Sequence, residues 1–216
     1  MTRLLFDQTQ QQCLEDIMRL RRDVRGNYFT SQPINDSTLD QLFYSASLAP
    51  SVGFSQPWEF VVIRNSNTRQ AIANNFAEEN EKAFQHFSDE KLKQYQQLKL
   101  EGITEAPVNV AVFYKPSNTP VLGQTSMTEM GEYSVVCAVQ NIWLMARSMN
   151  IGVGWVSILD PEFVKTTLKV PSDHKLIAYL CIGHVSEFLD KPELEKLNWE
   201  QRKQKEQFVF SEEYGS

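Results

Sequence analysis

Three arginines fall within five residues, Arg21, Arg22 and Arg25, with Asp23 and Val24 between them. Guanidinium groups present planar donor forks to anionic oxygens, so this run can converge on a phosphate if the chain leaves helical geometry there. The same run suits an ordinary helix end, where arginines complement the dipole and stay solvated, and spacing alone favours that reading. In a wet site the arginines would hold Asp23 ionised, whereas a ligand that buried it could leave it near-neutral; a surface ion pair is the alternative. A second candidate is the loop from Ala49 to Trp58 (APSVGFSQPW), whose hydroxyls and amide could present hydrogen bonds to a planar heterocycle or could simply make a tight connection.

Other chemistries drop out. No GxGxxG follows a strand, no GxxxxGK[ST] occurs, and His86, His174 and His184 lack metal-ligand spacing, so Rossmann, P-loop and zinc chemistry are not expected, nor is any metal. No GxSxG elbow supports a serine nucleophile. The formal charge of -6 comes from interspersed residues, not a basic stripe, so neither nucleic acid nor an anionic membrane is an expected partner. Cys13, Cys137 and Cys181 form no CxxC, and the last two lie in apolar runs where a thiol packs as a small hydrophobe. The N-terminal stretch MTRLLFDQTQQQ turns polar before any leader-length apolar run, and nothing approaches the roughly 20 residues of a membrane span; a cytoplasmic protein is expected.

The elements that must position these residues can be read from periodicity. A first amphipathic helix over about 7–20 delivers the arginine run. A second, capped by Asp36-Ser37-Thr38, carries Leu39, Leu42, Phe43 and Ala46 and must stop near Ala49, before Pro50. Strands are expected at 58–63, 108–114, 151–158 and 176–183. Two polar helices over about 68–87 and 89–101, the second closing at Gly102, form a surface excursion, and 115–124 reads as a mobile loop. The helix over about 129–150 is apolar nearly all round and belongs in a core or a subunit interface. Gly152 and Gly154 inside the third strand mark close approach of another backbone or a ligand. Asp160-Pro161 starts a short helix ending before Pro171. At 216 residues and 42% hydrophobic content the reading is one α+β domain over 1–216 around a small mixed sheet, with a helical, lid-like excursion at about 68–102 and a C-terminal extension at about 190–216.

Taken in order, Arg21-Arg22-Asp23-Val24-Arg25, Ala49-Pro50-Ser51 with Gln56-Pro57-Trp58, and Gly152-Val153-Gly154-Trp155-Val156-Ser157 resemble the FMN-binding pattern of the nitroreductase superfamily. That order lifts the arginine run above its solvated-helix-end reading. The resemblance implies a nitroreductase-like fold, a mixed central sheet flanked by helices, in an intertwined homodimer with FMN at the subunit interface; the apolar helix over 129–150 would be the central interface helix. It is closer still to the BluB branch, the 5,6-dimethylbenzimidazole synthases, from Arg21 to about Arg202, through RRDVR, LAPSVGFSQPW, LKLEGI followed by AP, EYSVVCAVQNIWLMAR, GVGWVSILDP and LEKLNWEQR. Ordinary nitroreductases commonly carry Ser at the place of Asp23 and Asn at that of Phe54. The loop 115–124 departs most from the family pattern.

The resemblance further implies that Arg21, Arg22, Asp23, Val24 and Arg25 contact the flavin and its phosphate, joined by Pro50, Ser51, Leu100 and Ser157, with Asp23 and Ser157 catalytic. The implied reaction consumes reduced FMN as both cofactor and substrate: molecular oxygen drives its fragmentation to 5,6-dimethylbenzimidazole, the lower ligand of vitamin B12, and erythrose 4-phosphate. Such an enzyme must exclude water and move protons at the ring nitrogens and the ribityl C1′, a task that falls to Asp23, with Ser157 hydrogen-bonding an intermediate. Phe54 and the helical excursion would close the pocket, leaving a separate flavin reductase to supply reduced FMN. Two alternatives stand beside this: an NAD(P)H- and FMN-dependent nitroreductase or quinone reductase, and a non-catalytic flavin-binding protein.

Overall fold

Along 108–114, Val108, Val110 and Val112 point to one side and Ala111 and Phe113 to the other, all of them buried, the period-2 pattern of a strand covered on both faces. In the computed structural model, which describes residues 5–215 with the side chain of Asp89 excepted, this strand is central. Of the N-terminal stretch read as too polar for a leader, Met1 to Leu4 lie outside the described residues, as does Ser216 at the end of the extension. Four strands, β1 (Trp58–Ile63), β2 (Val108–Tyr114), β3 (Ile151–Val156) and β4 (Lys175–His184), form one sheet in the order β1-β2-β4-β3. Every neighbouring pair is antiparallel. The mixed character expected of the sheet is confined to a single parallel bridge between Asp23 and Val153, because the extended run that makes it ends at a 3₁₀ turn over Gly26–Tyr28.

Helices cover both faces. On one side α2 (Asp36–Ser47) and α5 (Met130–Ser148) bury Leu39, Leu42, Val135, Val139 and Ile142 against the β2 valines. On the other, α3 (Ser66–Phe84) and α6 (Pro161–Leu168) bring Ile72 and Val164 onto Ala111, Phe113, Tyr179 and Cys181. Burying one such aliphatic side chain stabilises by about 1.5–3 kcal/mol, so the apolar stripes decide which helix face turns inward.

Local signals set most of the ends. A capping box on Asp7 starts α1 (Gln8–Leu20), and Asp160 caps α6 with Pro161 in its first turn. For α2 the cap is Asn35 and not the Asp36-Ser37-Thr38 run: its Oδ1 accepts the Thr38 N–H at 2.8 Å, and Asp36 is already helical. The helix α4 (Asp89–Gln96) ends five residues short of the expected 101, because Leu100 and Glu101 spend their carbonyls on Arg25 and Gly26 instead of on a helix. Finally, β3 stops at Val156, which leaves Ser157 just beyond the strand.

Only one side of α5 is covered. Tyr133 and Val136 on it, Tyr44 on α2 with Leu48 at its C-terminal cap, and Leu14 and Met18 on α1 stay exposed. No helix among the described residues is long and apolar enough to cross a membrane, and no group of His, Cys, Asp or Glu among them could hold a metal ion.

Candidate active site

α1 stops at Leu20, and Arg21 turns extended (φ -64°, ψ 136°) while its N–H still caps the helix on the Ile17 carbonyl. Residues 22–25 then run beside β3. Val24 N–H donates to the Val153 carbonyl at 3.0 Å, and Trp155 N–H donates to Asp23 Oδ1 at 2.9 Å. The β3 glycines make this possible: a Cβ on Gly154 would lie 2.2 Å from the Val24 carbonyl oxygen, and one on Gly152 would lie 2.4 Å from Val185 Cγ1. What approaches Gly154 is thus another stretch of backbone, whereas Gly152 makes room for the side chains of Val185, Val24 and Phe29.

The arginines of the run divide their work. Arg22 is buried; its Nη1 donates to the Arg19 and Arg21 carbonyls at 2.9 and 2.7 Å and its Nη2 donates to the Asp190 carbonyl, while Nε has no partner among the described residues. It therefore pins the start of the C-terminal extension to the end of α1. Arg25 pairs with the Asp23 carboxylate and donates to the Leu100 carbonyl at 3.0 Å. Arg21 lies over the Trp143 ring, 4.5 Å from its centroid, and its guanidinium has no acceptor among the described residues. Trp143 in turn donates its indole N–H to the Arg22 carbonyl at 3.1 Å. Arg202, a residue that periodicity did not single out as a ligand, acts on both Arg21 and Arg22. Burial lowers the Arg21 and Arg22 pKa values, and Arg202 pushes both the same way.

Asp23 opens onto a cavity of about 120 Å³ lined by Arg21, Arg22, Arg25, Leu98, Lys99, Leu100, Pro192, Glu193 and Leu194. Its side chain is 34% exposed. Burial pushes the Asp23 carboxyl up from the ordinary carboxylate range, against the opposing pull of Arg25, the Trp155 N–H and Arg21. An acid held this way is protonated more readily than a surface aspartate would be, and it sits beside unsatisfied cationic donors.

The extension reaches this cavity because it is anchored further on. Trp199 packs against Phe87 and Tyr95 at centroid distances of 5.4 and 6.2 Å, and Lys91 Nζ lies 4.4 Å from its ring centroid while donating to the Trp199 carbonyl at 2.7 Å. The aromatic residues of the tail and the polar excursion, separate features in the sequence, are thus one structure beside Asp23. Trp199 is the tail residue that docks here, while Leu194 and Leu197 stay exposed.

Other predicted residues lie elsewhere in the chain. Val24 is buried and contributes backbone to the β3 pairing. Pro50 and Ser51 do not line the cavity: Ser51 Oγ accepts the Gln56 N–H at 3.1 Å, and the adjoining Val52 N–H donates to Ser134 Oγ at 3.0 Å. Ser134 and Trp143 are nine residues apart on α5, about 14 Å along its axis at 1.5 Å per residue. Ser157 is exposed, two residues past Trp155, and its hydroxyl makes no hydrogen bond among the described residues. Phe54 is 80% exposed with a left-handed φ of 53°, so within one chain it closes nothing. The loop 115–124 packs on this segment, with Leu122 so near Gly53 that a Cβ there would lie 2.8 Å from the Leu122 carbonyl oxygen.

The nitroreductase family model matches residues 18–184, and the chain, a sheet flanked by helices on both faces, belongs to that family. Within it, the chain is 43% identical to the 5,6-dimethylbenzimidazole synthase of Rhodospirillum rubrum over 92% of its own length and 94% of that protein's. Its fold is similar to that of a BluB-like flavoprotein from Clostridium difficile (TM-score 0.69, 21% identity, 92% and 98% of the two chains covered). It is similar also to that of oxidized iodotyrosine deiodinase bound to FMN and 3-iodo-L-tyrosine (TM-score 0.72, 19% identity, 94% and 99% covered).

Proposed function

We propose that this chain is a 5,6-dimethylbenzimidazole synthase that binds reduced FMN at the Arg21–Arg25 segment and consumes it with molecular oxygen. The observation that carries this is Asp23, a carboxyl raised by burial yet held among arginines, in a chain matched over 92% of its length by a synthase of that name. The residues fit the ligand. Arg21 with no acceptor, the orphaned Nε of Arg22 and the nearby Arg202 suit a phosphate dianion, and Leu98, Leu100 and Leu194 offer an apolar wall to a ring. When bound, reduced FMN supplies the electrons and the carbon skeleton, with oxygen as oxidant and erythrose 4-phosphate as the second product.

The chain's own part is to bind, shield and move protons. Arg21 and Arg22 hold the phosphate. Trp155 N–H and Arg25 fix the Asp23 carboxyl in one orientation, so that it can give a proton and take one back at the flavin. The leucines keep bulk water from that exchange. Ser157, on the same stretch as Trp155, is the second polar group assigned to the reacting part of the ligand.

One chain does not make a whole site. A cavity of about 120 Å³ is well below the roughly 300–1,000 Å³ of ligand pockets, and the Ser51 loop sits far along α5 from Arg21. A twofold pairing through the exposed Tyr133 and Val136 face would set each loop against the partner's arginine segment, so we infer a homodimer with the flavin at the subunit interface. Val136→Lys places a charge in that face; it is expected to give a monomer in sedimentation and to weaken FMN binding at least tenfold in flavin-fluorescence titration. Tight FMN binding by a monomer would overturn the shared site.

A separate flavin reductase supplies the reduced flavin on this reading, in the cytoplasm, where the three free thiols suit the redox poise. The reaction itself is tested by mixing the pure protein with reduced FMN in air. Dimethylbenzimidazole is the expected product by mass spectrometry, and recovery of intact FMN alone would sink the assignment. Rapid bleaching of bound flavin by NADPH alone would favour an ordinary nitroreductase.

A further inference from the structure

Asp23 is not the only carboxyl at the cavity. Glu193, the first residue of the short helix α7 (Glu193–Lys196) in the C-terminal extension, lines the same 120 Å³ space and also a smaller crevice behind Asp23 bounded by Val24, Tyr28 and Glu187. Its placement is over-determined: Arg22 holds the Asp190 carbonyl, Lys196 pairs with the Asp190 carboxylate at 3.0 Å, and Trp199 is anchored on the excursion. A surface glutamate would need none of this.

Besides the two carboxyls, the cavity is lined by the charged groups of Arg21, Arg22, Arg25 and Lys99, the last paired with Glu101 and Glu105. Arg25, Arg21 and the Trp155 N–H face Asp23, with the buried Cys181 thiol of β4 behind it. Glu193 is faced by Arg25, Asp23 and the Tyr28 hydroxyl, with Glu187 and Lys196 beyond Tyr28. Arg25 is therefore common to both acids, and it is the Asp23 carboxylate that it contacts. Arg25 and Arg21 pull Asp23 toward its ionised form while burial pushes the other way, and a neighbouring carboxylate would act in the same sense as burial.

We propose that Glu193 is a positioning residue for Asp23: a second carboxylate, carried to the cavity by the C-terminal extension, that competes for Arg25 and so sets how readily Asp23 releases and regains its proton. Two carboxyls with one cation between them titrate as a pair, each resisting the second ionisation. Burial raises Glu193 and the Asp23 charge adds to that rise, while Arg25 opposes it. The inference rests on the reading of Asp23 as the proton carrier, but its central element is an electrostatic coupling that can be measured without turnover.

The decisive measurement is the pH titration of the Asp23 carboxyl carbon by NMR in flavin-free protein labelled with [13C]aspartate, assigned by its loss in Asp23→Asn. In Glu193→Gln, which keeps the side chain's size and removes its charge, the Asp23 midpoint is expected to fall by about one unit, a tenfold smaller protonated fraction above the midpoint. Glu193→Asp keeps the charge and is expected to stay within about 0.3 unit of the unmodified protein, which separates charge from packing. In product formation from reduced FMN, Glu193→Gln should lose about tenfold at pH values above the Asp23 midpoint and remain within about twofold below it, since one unit is a factor of ten. Superimposable Asp23 titrations in the unmodified protein and Glu193→Gln would overturn the proposal. If the midpoint moves and Asp23→Asn still makes product at the unmodified rate, the coupling stands and the proton-carrier reading fails.

Discussion

Asp23→Asn is expected to lower 5,6-dimethylbenzimidazole formation by about 10²–10⁴-fold, the range typical of a lost general acid/base, while FMN still binds within a few-fold of the unmodified affinity. Asn keeps an oxygen for the Trp155 N–H and leaves Arg21 and Arg22 in place, so the ligand's anchors survive. The loss would not reflect unfolding, and the sign of the pH linkage makes this checkable. Burial raises the Asp23 carboxyl above its ordinary value of 3.8, so the native state binds that proton more tightly than the unfolded chain does. Stability from this group is complete below the ordinary value and falls as pH rises toward the raised one. At neutral pH the ionised Asp23 therefore costs stability that Asn does not. Thermal melting of Asp23→Asn at pH 7.5 should occur at the same or a higher temperature than the unmodified protein, with the difference vanishing toward pH 3. A variant that melts lower at pH 7.5 would contradict the buried-acid account, and one that keeps full synthesis would remove Asp23 from the chemistry.

Gly154→Val carries the second large effect, this time through the backbone. A Cβ at 154 would meet the Val24 carbonyl oxygen at 2.2 Å, and a main-chain atom held by the Val24 N–H bond to Val153 cannot swing aside. Either the 21–25 segment lifts off β3 or β3 itself shifts. Both outcomes detach the Trp155 N–H from Asp23 and move Arg21 from Trp143. The expected loss is about 3 kcal/mol in urea unfolding, the upper part of the overpacking range, together with at least a hundredfold weaker FMN binding by fluorescence titration. Gly123→Ala, whose Cβ would meet only Val52 Cγ2 at 3.4 Å, is a milder control on steric grounds, although its φ of 86° adds local strain. Unchanged FMN affinity in Gly154→Val would mean that the arginine segment does not need β3 to hold its shape.

The two variants separate what was legible early from what was not. β1 and β2 begin after Pro57 and Pro107 and run through β-branched and aromatic residues, and their ends match the expected 58–63 and 108–114. α6 starts where Asp160-Pro161 says it should. These signals act within a few residues, so they survive in the sequence. The end of α4 was missed because Leu100 and Glu101 are drawn out of helical geometry by Arg25 and Gly26, partners some 75 residues earlier. The cap of α2 was displaced by one residue because Asn35, Asp36 and Ser37 are all competent caps, and only the backbone path selects among them.

The amino-acid order by itself determined the positions of most strands and helices, the fact that Gly152 and Gly154 admit something close, and the presence of an acid among arginines. It did so because caps, prolines and apolar periodicity are local. Tertiary structure decided the role each of those residues can take. It turned Arg22 into a clamp on the C-terminal extension, left Arg21 without an acceptor, brought Arg202 and Glu193 to residues about 170–180 positions earlier, and kept Ser51 away from the cavity along α5. The state of Asp23 belongs to this second group. Its proton affinity is a sum over burial, Arg25, the Trp155 N–H and Arg21, and the first and third exist only once β3 lies against the 21–25 segment.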